Sequence, residues 1–177
     1  MNKIFAAGDG VTVPDGTRVF ELYGPGRLRF DALPVRDEQS LALGELPGDT
    51  ASFVHVHPIV THLTYVLSGK LMVTMKDASN ASPYSIDLIE GESVFTAPGT
   101  FFQLNNRHSV ACRLLYVCSP GFVFLTDSQG QVVYNDQVVP GLDWDELAER
   151  HWQLPELADL EATRSRRAAA LQRMGAL

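Results

Sequence analysis

The stretch Ala51-Ser-Phe-Val-His55-Val-His57-Pro-Ile-Val-Thr-His62 decides how the rest of the chain reads. The sequence holds five histidines, and three of them fall between positions 55 and 62. Residues two apart on a strand face the same side, so His55 and His57 present their imidazoles together. Pro58 supplies a turn from which the next strand can return antiparallel, with His62 at its start. Three imidazoles converging from adjacent strands make a three-His metal site with coordination positions open to water or substrate. The alternative is a polar strand face with solvated histidines. Gathering so much of a scarce residue type on an apolar hairpin argues against it.

Outward from this hairpin the chain is a succession of short β-like runs between turn signals. Arg18–Tyr23 follows Pro14-Asp-Gly16, Leu28–Leu33 follows Gly24-Pro-Gly26, and Ser40–Leu46, Ala51–His57 and His62–Leu67 come next. Ser68-Gly69 turns into Lys70–Met75, and the polar stretch Lys76–Pro83 reads as a surface loop before Tyr84–Ile89. Ser93–Thr96, Phe101–Leu104, Ser109–Cys118 and Phe122–Thr126 complete the series. Strands at this spacing with Gly-rich turns predict an all-β sandwich or barrel. Asn80-Ala-Ser82 has the form of a glycosylation sequon and reads as loop composition.

The character changes after Pro140. Asp143-Trp-Asp-Glu146 predicts an N-cap with a capping acid, opening a short helix through about Arg150. Pro155 starts a second helix whose acids (Glu156, Asp159, Glu161) precede its arginines (Arg164, Arg166, Arg167, Arg173). That order complements the helix dipole, so the arginines read as a charged helix face. Leu157, Leu160, Leu171 and Met174 form a broken apolar stripe for docking. The expected division is a β-barrel domain over residues 1–140 and a helical extension over 141–177, packed on the barrel or on a partner subunit.

Composition narrows the classes. The chain has 177 residues, 45% hydrophobic and 20% charged, which suits one globular domain with a real core. Fourteen Lys and Arg against 21 Asp and Glu give a net charge of −7, unfavourable for a phosphate backbone, so no nucleic-acid partner is expected. The start, Met1 to Gly10, breaks after the four apolar residues Ile4 to Ala7, too soon for a signal peptide. No window approaches the ~18 apolar residues of a membrane span. The expected address is cytoplasmic, with no membrane association. Cys112 and Cys118 lie on one predicted strand, with Cα atoms about 20 Å apart. A disulfide needs about 4.4–6.8 Å, so both are expected as free thiols. There is no phosphate loop of the form Gly-x4-Gly-Lys-Ser/Thr and no Gly-x-Ser-x-Gly nucleophile turn.

With these residues in view the chain resembles the cupins, whose first motif is Gly-x5-His-x-His-x3–4-Glu-x6-Gly. His55, His57 and Gly69 fall in register, His62 stands where the Glu would be, and Gly48 is one place early. The second cupin motif is Gly-x5-Pro-x-Gly-x2-His-x3-Asn. Gly91, Gly99 and Asn106 match it, Pro98 is one residue late, and Phe102 occupies the His position with Gln103 after it. The motifs span residues 48 to 106. The resemblance implies a double-stranded β-helix (jelly-roll) barrel with short C-terminal helices, commonly paired as a homodimer.

It also implies a ligand set of His55, His57 and His62 around one divalent metal ion, with two registers open for a fourth position. Alignment on Gly99 turns Phe102 inward as an apolar wall, and alignment on Pro98 turns Gln103 inward as an amide ligand. A one-residue bulge switches between them. Gln103 is the preferred fourth ligand, because a buried amide without a partner is unfavourable. His108 is expected near the rim and His151 in the helical region, neither as a ligand.

A neutral His and Gln shell leaves the metal's full charge for an anionic, chelating oxygen ligand. Fe(II) is the metal of most similar cupins, and imidazole ligation also suits Zn, Ni, Mn or Cu. Phe53, Tyr65, Phe95, Phe101 and Phe102 are candidates for a pocket around a flat, small organic substrate. The first functional expectation is a dioxygenase acting on a small enolisable or phenolic, diketone-like substrate. The second is a non-oxidative cyclase or isomerase using Zn as a Lewis acid on a polyketide-like substrate. The third is a small-molecule-binding cupin without catalysis.

Overall fold

A computed structural model describes residues 7–24, 38–77, 81–141, 143–149 and 160–175. Among these residues thirteen strands precede two helices in the order β1 (Val11–Thr12), β2 (Arg18–Tyr23), β3 (Ser40–Leu46), β4 (Thr50–Ala51), β5 (His55–Val56), β6 (Thr61–Ser68) and β7 (Lys70–Lys76). Then follow β8 (Tyr84–Ile89), β9 (Ser93–Thr96), β10 (Phe101–Asn106), β11 (Cys112–Ser119), β12 (Phe124–Thr126), β13 (Val132–Asn135), α1 (Trp144–Glu149) and α2 (Leu160–Met174). One sheet runs β1-β2-β3-β11-β6-β9, and a second runs β4-β10-β7-β8 with β5 also paired to β10. The sequence-adjacent pairs β6–β7 and β9–β10 thus split between sheets, as in a jelly roll.

The strands alternate because each has one face on the shared interior. On β7 this face is Leu71, Val73 and Met75, and on β11 it is Cys112, Leu114, Tyr116 and Cys118. Both thiols are free and buried. The two faces meet in one core that includes Leu46, Val66, Leu88, Phe102 and Leu104. The turn between β6 and β7 needs a left-handed residue, and Gly69 supplies it at φ +92° against the Cys112 backbone.

Several expectations need correction. Ala51–His57 is two short strands, because Ser52 turns its side chain to bond the backbone: its hydroxyl accepts from Leu104 N and donates to Phe53 O. Lys76 ends β7 and is buried, so it does not open a surface loop. The run Phe122–Thr126 contains β12, whereas the edge strand β1 and β13 have too few core positions to announce themselves. The Leu28–Leu33 run, Asn80, His151 and the start of the second helix before Leu160 lie outside the described residues.

The helices dock on the β framework. Asp143 Oδ1 accepts from the backbone N–H of Asp145 and Glu146 (3.0 and 2.8 Å), the N-cap that the sequence predicts for α1. Leu147 then enters a small core with Val54, Val56 and Phe101. Ala170 and Leu171 of α2 pack on Val123 beside Leu125 and Tyr134 of the β12–β13 hairpin. The arginines are not uniformly a solvated face. Arg167 turns inward, pairs with Asp136 at 3.1 Å and donates to Gly121 O, because the side of α2 that meets the hairpin carries it.

Candidate metal centre

His55 lies on β5, His57 follows immediately, and His62 is the second residue of β6; all three are buried. The ring centroids of His55 and His57 are 5.4 Å apart, and those of His57 and His62 are 5.1 Å apart. The turn of the second motif is tied to the first by Gly99 N–H, which donates to His57 O at 2.9 Å. His55 Nδ1 lies 2.9 Å from Phe53 O and 3.4 Å from Asp15 Oδ2. Carbonyl and carboxylate oxygens only accept, so Nδ1 carries the proton and the lone pair sits on Nε2.

Burial holds all three imidazoles neutral. Desolvation pulls His62 down to about 3, with His55 adding to the shift, and pulls His57 well below its usual range with help from His62 and His55. His55 is also lowered by burial, against the opposing pull of the Asp15 carboxylate and the Phe53 carbonyl. Neutral imidazole is the form that ligates metal.

The fourth expected ligand is elsewhere. Phe102, paired with His55 across β5 and β10, turns inward, its ring 4.0 Å from that of His55 and 5.4 and 5.5 Å from those of His57 and His62. Gln103 therefore faces the outside of the sheet, where its amide donates to Ser52 O and accepts from Trp144 Nε1. The Gly99 register holds, and the preference for Gln103 as a ligand is withdrawn. Its amide found partners under α1, a helix too remote in sequence to enter the argument. Asn106 is buried and braces the turn after β10 by donating to Leu46, Pro47 and Val110 carbonyls. His108 is exposed, away from the cluster.

The three histidines open on a cavity of about 540 Å³. Its walls are not those expected from the motif strands. Phe53 and Phe95 are exposed, Phe101 packs under α1, and neither Tyr65 nor Phe102 lines the cavity. The aromatic lining is Tyr116, Phe122 and Phe124, joined by Val11 of β1, by Val13 just after it and by Met174 of α2. Sequence reasoning missed Asp15. It stands in the turn Pro14-Asp-Gly16, whose residue types read as turn chemistry alone, yet it is buried and reaches His55. The turn is tied to the site by Phe53 N–H, which donates to Asp15 O at 2.7 Å, two residues before His55.

The donor set can be tested for a cation. Imidazoles sharing one ion at about 2.0–2.1 Å have centroids roughly 4.5–5.2 Å apart, close to the two spacings seen here. His57 Nδ1 and His62 Nδ1 are buried without a hydrogen-bond partner. As placed, the nitrogens do not close on a point: among the described residues no three His, Cys, Asp or Glu side chains form a finished metal cluster. A histidine triad with orphaned nitrogens fits a divalent ion.

No family model matches the sequence, and no curated protein matches it. Solved structures with a similar fold include plu4264 from Photorhabdus luminescens (TM-score 0.51, 16% identity, 73% of this chain and 92% of that one). The CENP-C domain of Drosophila melanogaster is similar at TM-score 0.50 and 12% identity, over 63% of this chain and 72% of that one. The Cnp3 cupin domain of Schizosaccharomyces pombe aligns at TM-score 0.46 and 14% identity, over 58% of this chain and 60% of that one. At these identities the likeness is one of fold. The protein is a cupin-fold β-barrel with C-terminal helices, and none of its described helices is long and apolar enough to cross a membrane.

Proposed function

We propose that the protein is a metal-dependent cupin enzyme, a dioxygenase that takes a small enolisable or phenolic substrate into the cavity beside His55, His57 and His62. The observation that carries the reading is the burial of three neutral imidazoles at one end of that cavity, two of them with an unpartnered nitrogen. These three would hold one divalent ion, with Fe(II) favoured by analogy. When bound, the ion supplies Lewis acidity toward the substrate's oxygens and a site for dioxygen. The chain's own residues do the rest. Phe53 O and Asp15 fix the tautomer of His55. Phe102 fills the fourth side with hydrocarbon, leaving the donor set uncharged and the site dry on that side. The apolar walls exclude water from the rest of the substrate.

The test is elemental analysis of purified protein and of a His57→Ala variant, followed by oxygen uptake with acetylacetone and catechol under Fe(II) and Zn(II). Metal retained by wild type and lost in the variant, with oxygen consumed only under Fe(II), supports the dioxygenase. Turnover without oxygen moves the reading to a Zn-dependent cyclase or isomerase. A protein that takes up no metal leaves a binding cupin.

A further inference from the structure

Five buried side-chain atoms lack a hydrogen-bond partner among the described residues: His57 Nδ1, His62 Nδ1, Thr64 Oγ1, Thr96 Oγ1 and Tyr116 Oη. Four of these residues are neighbours on one wall. The β11–β6 register sets Tyr116 beside Thr64 and Cys118 beside His62, and the β6–β9 register sets His62 beside Thr96. Tyr116 lines the cavity, with its ring 5.0 Å from that of His62. It lies over Gly44, where an added Cβ would come within 2.6 Å of the phenol oxygen. Gly44 thus leaves the phenol its room. A buried hydroxyl without a partner is a standing cost to the fold, and here it is kept at the wall of a cavity.

The charges in the lining have one sign. Apart from the histidines, Tyr116 and Cys118, the ionisable residues are Asp9, Asp15 and Glu21, and neither Lys nor Arg is among the described lining residues. Without a metal ion, an anion entering the cavity meets carboxylates and no Lys or Arg among the described lining residues. An apolar body meets Val11, Val13, Val19, Leu41, Phe122 and Phe124.

We infer that the cavity takes an uncharged, mainly apolar molecule bearing a keto or hydroxyl oxygen, and that the Tyr116 hydroxyl donates the hydrogen bond that fixes this oxygen beside the histidines. This names the substrate class of the proposed enzyme and rests on that reading for its role in turnover. The bond itself needs no metal. A ligand neutral in water enters the metal-free cavity without repulsion, whereas a carboxylate of the same shape is turned away.

The test compares binding of 2-acetylnaphthalene, naphthalene, 2-naphthoate and 2-naphthylmethylammonium to wild type and Tyr116→Phe by calorimetry. Each is measured on metal-loaded and on EDTA-treated protein. On EDTA-treated protein the expected order places 2-acetylnaphthalene first and 2-naphthoate at least about tenfold weaker. Tyr116→Phe should lower 2-acetylnaphthalene affinity about tenfold and leave naphthalene unchanged. The variant keeps the ring and removes an unsatisfied hydroxyl, so its ligand-free melting temperature should equal or exceed that of wild type. Tightest binding of the naphthoate or the ammonium probe to EDTA-treated protein overturns the inference, as does an equal loss for both neutral probes or no binding of either. If the expected order persists in a protein that takes up no metal, only the enzyme reading fails.

Discussion

The Asp15 carboxylate stands 3.4 Å from His55 Nδ1, from a turn that precedes the histidine by forty residues of chain. Its other oxygen accepts from Thr17 N–H at 3.0 Å and from the Thr17 hydroxyl, so the carboxylate is held from behind while it faces the imidazole. Outer partners of this kind orient a ligating histidine and raise its basicity. Asp15→Asn keeps the shape and removes the charge. If His55 is a ligand, the variant's metal affinity should fall about 10- to 100-fold. Chelator competition reads the change, with circular dichroism confirming a folded β protein. An unchanged affinity would leave Asp15 as a turn residue only.

His55→Ala and His57→Ala should abolish metal retention, since each leaves two imidazoles. Gln103→Ala should not. Its amide bonds Ser52 O and Trp144 Nε1 at 2.9 and 3.0 Å on the far side of the sheet. Losing those bonds is expected to cost about 1–2 kcal/mol in urea unfolding with metal content unchanged. A drop in bound metal for Gln103→Ala would return the amide to the ligand set.

The β framework was legible because its signals are local. Alternating apolar residues set β6, β7 and β11, and turn glycines at Gly69 and Gly91 separate their neighbours at positive φ. The histidine spacing likewise lies within a few residues. What stayed hidden depends on partners far along the chain. Whether Phe102 or Gln103 faces inward is a question of register, and one residue of slip exchanges them. Asp15 and Tyr116 reach the site through β2, β3 and β11, and nothing near either in the sequence marks it as polar lining. Arg167 looked like a solvated charge because its partner, Asp136, lies on another element.

That ion pair ties α2 to the barrel. Asp136 accepts from Arg167 Nε at 3.1 Å, from Val123 N–H at 2.8 Å and from the Tyr134 hydroxyl at 2.7 Å. Arg167→Leu strands a buried carboxylate and should cost about 3–5 kcal/mol near neutral pH. Burial already raises Asp136 above the usual carboxylate range, with Arg167 the leading opposing influence. Without the arginine it rises further. The folded variant then binds a proton more readily than the unfolded chain, so its stability climbs as pH falls through the raised value. Urea titrations at pH 7 and pH 5 should show the deficit relative to wild type shrinking at the lower pH. A deficit that stays constant or grows would mean that Asp136 is not the group left unpaired.

The two thiols offer a check on the packing of β11. Burial pushes Cys112 up to about 11 and Cys118 up to about 12, the latter despite a hydrogen bond with Ser40. Only the thiolate attacks an alkylating reagent, and at pH 8 it is about one part in a thousand or less at such values. Cys112 faces the core between the sheets, whereas Cys118 lines the cavity. Native protein should therefore resist iodoacetamide at pH 8 over a period in which urea-unfolded protein labels at both positions. Residual native labelling, located by mass spectrometry, should fall on Cys118, the one that a small reagent can approach through the cavity. Faster labelling at Cys112 would contradict the inward orientation of β11 on which the placement of Tyr116 beside His62 depends.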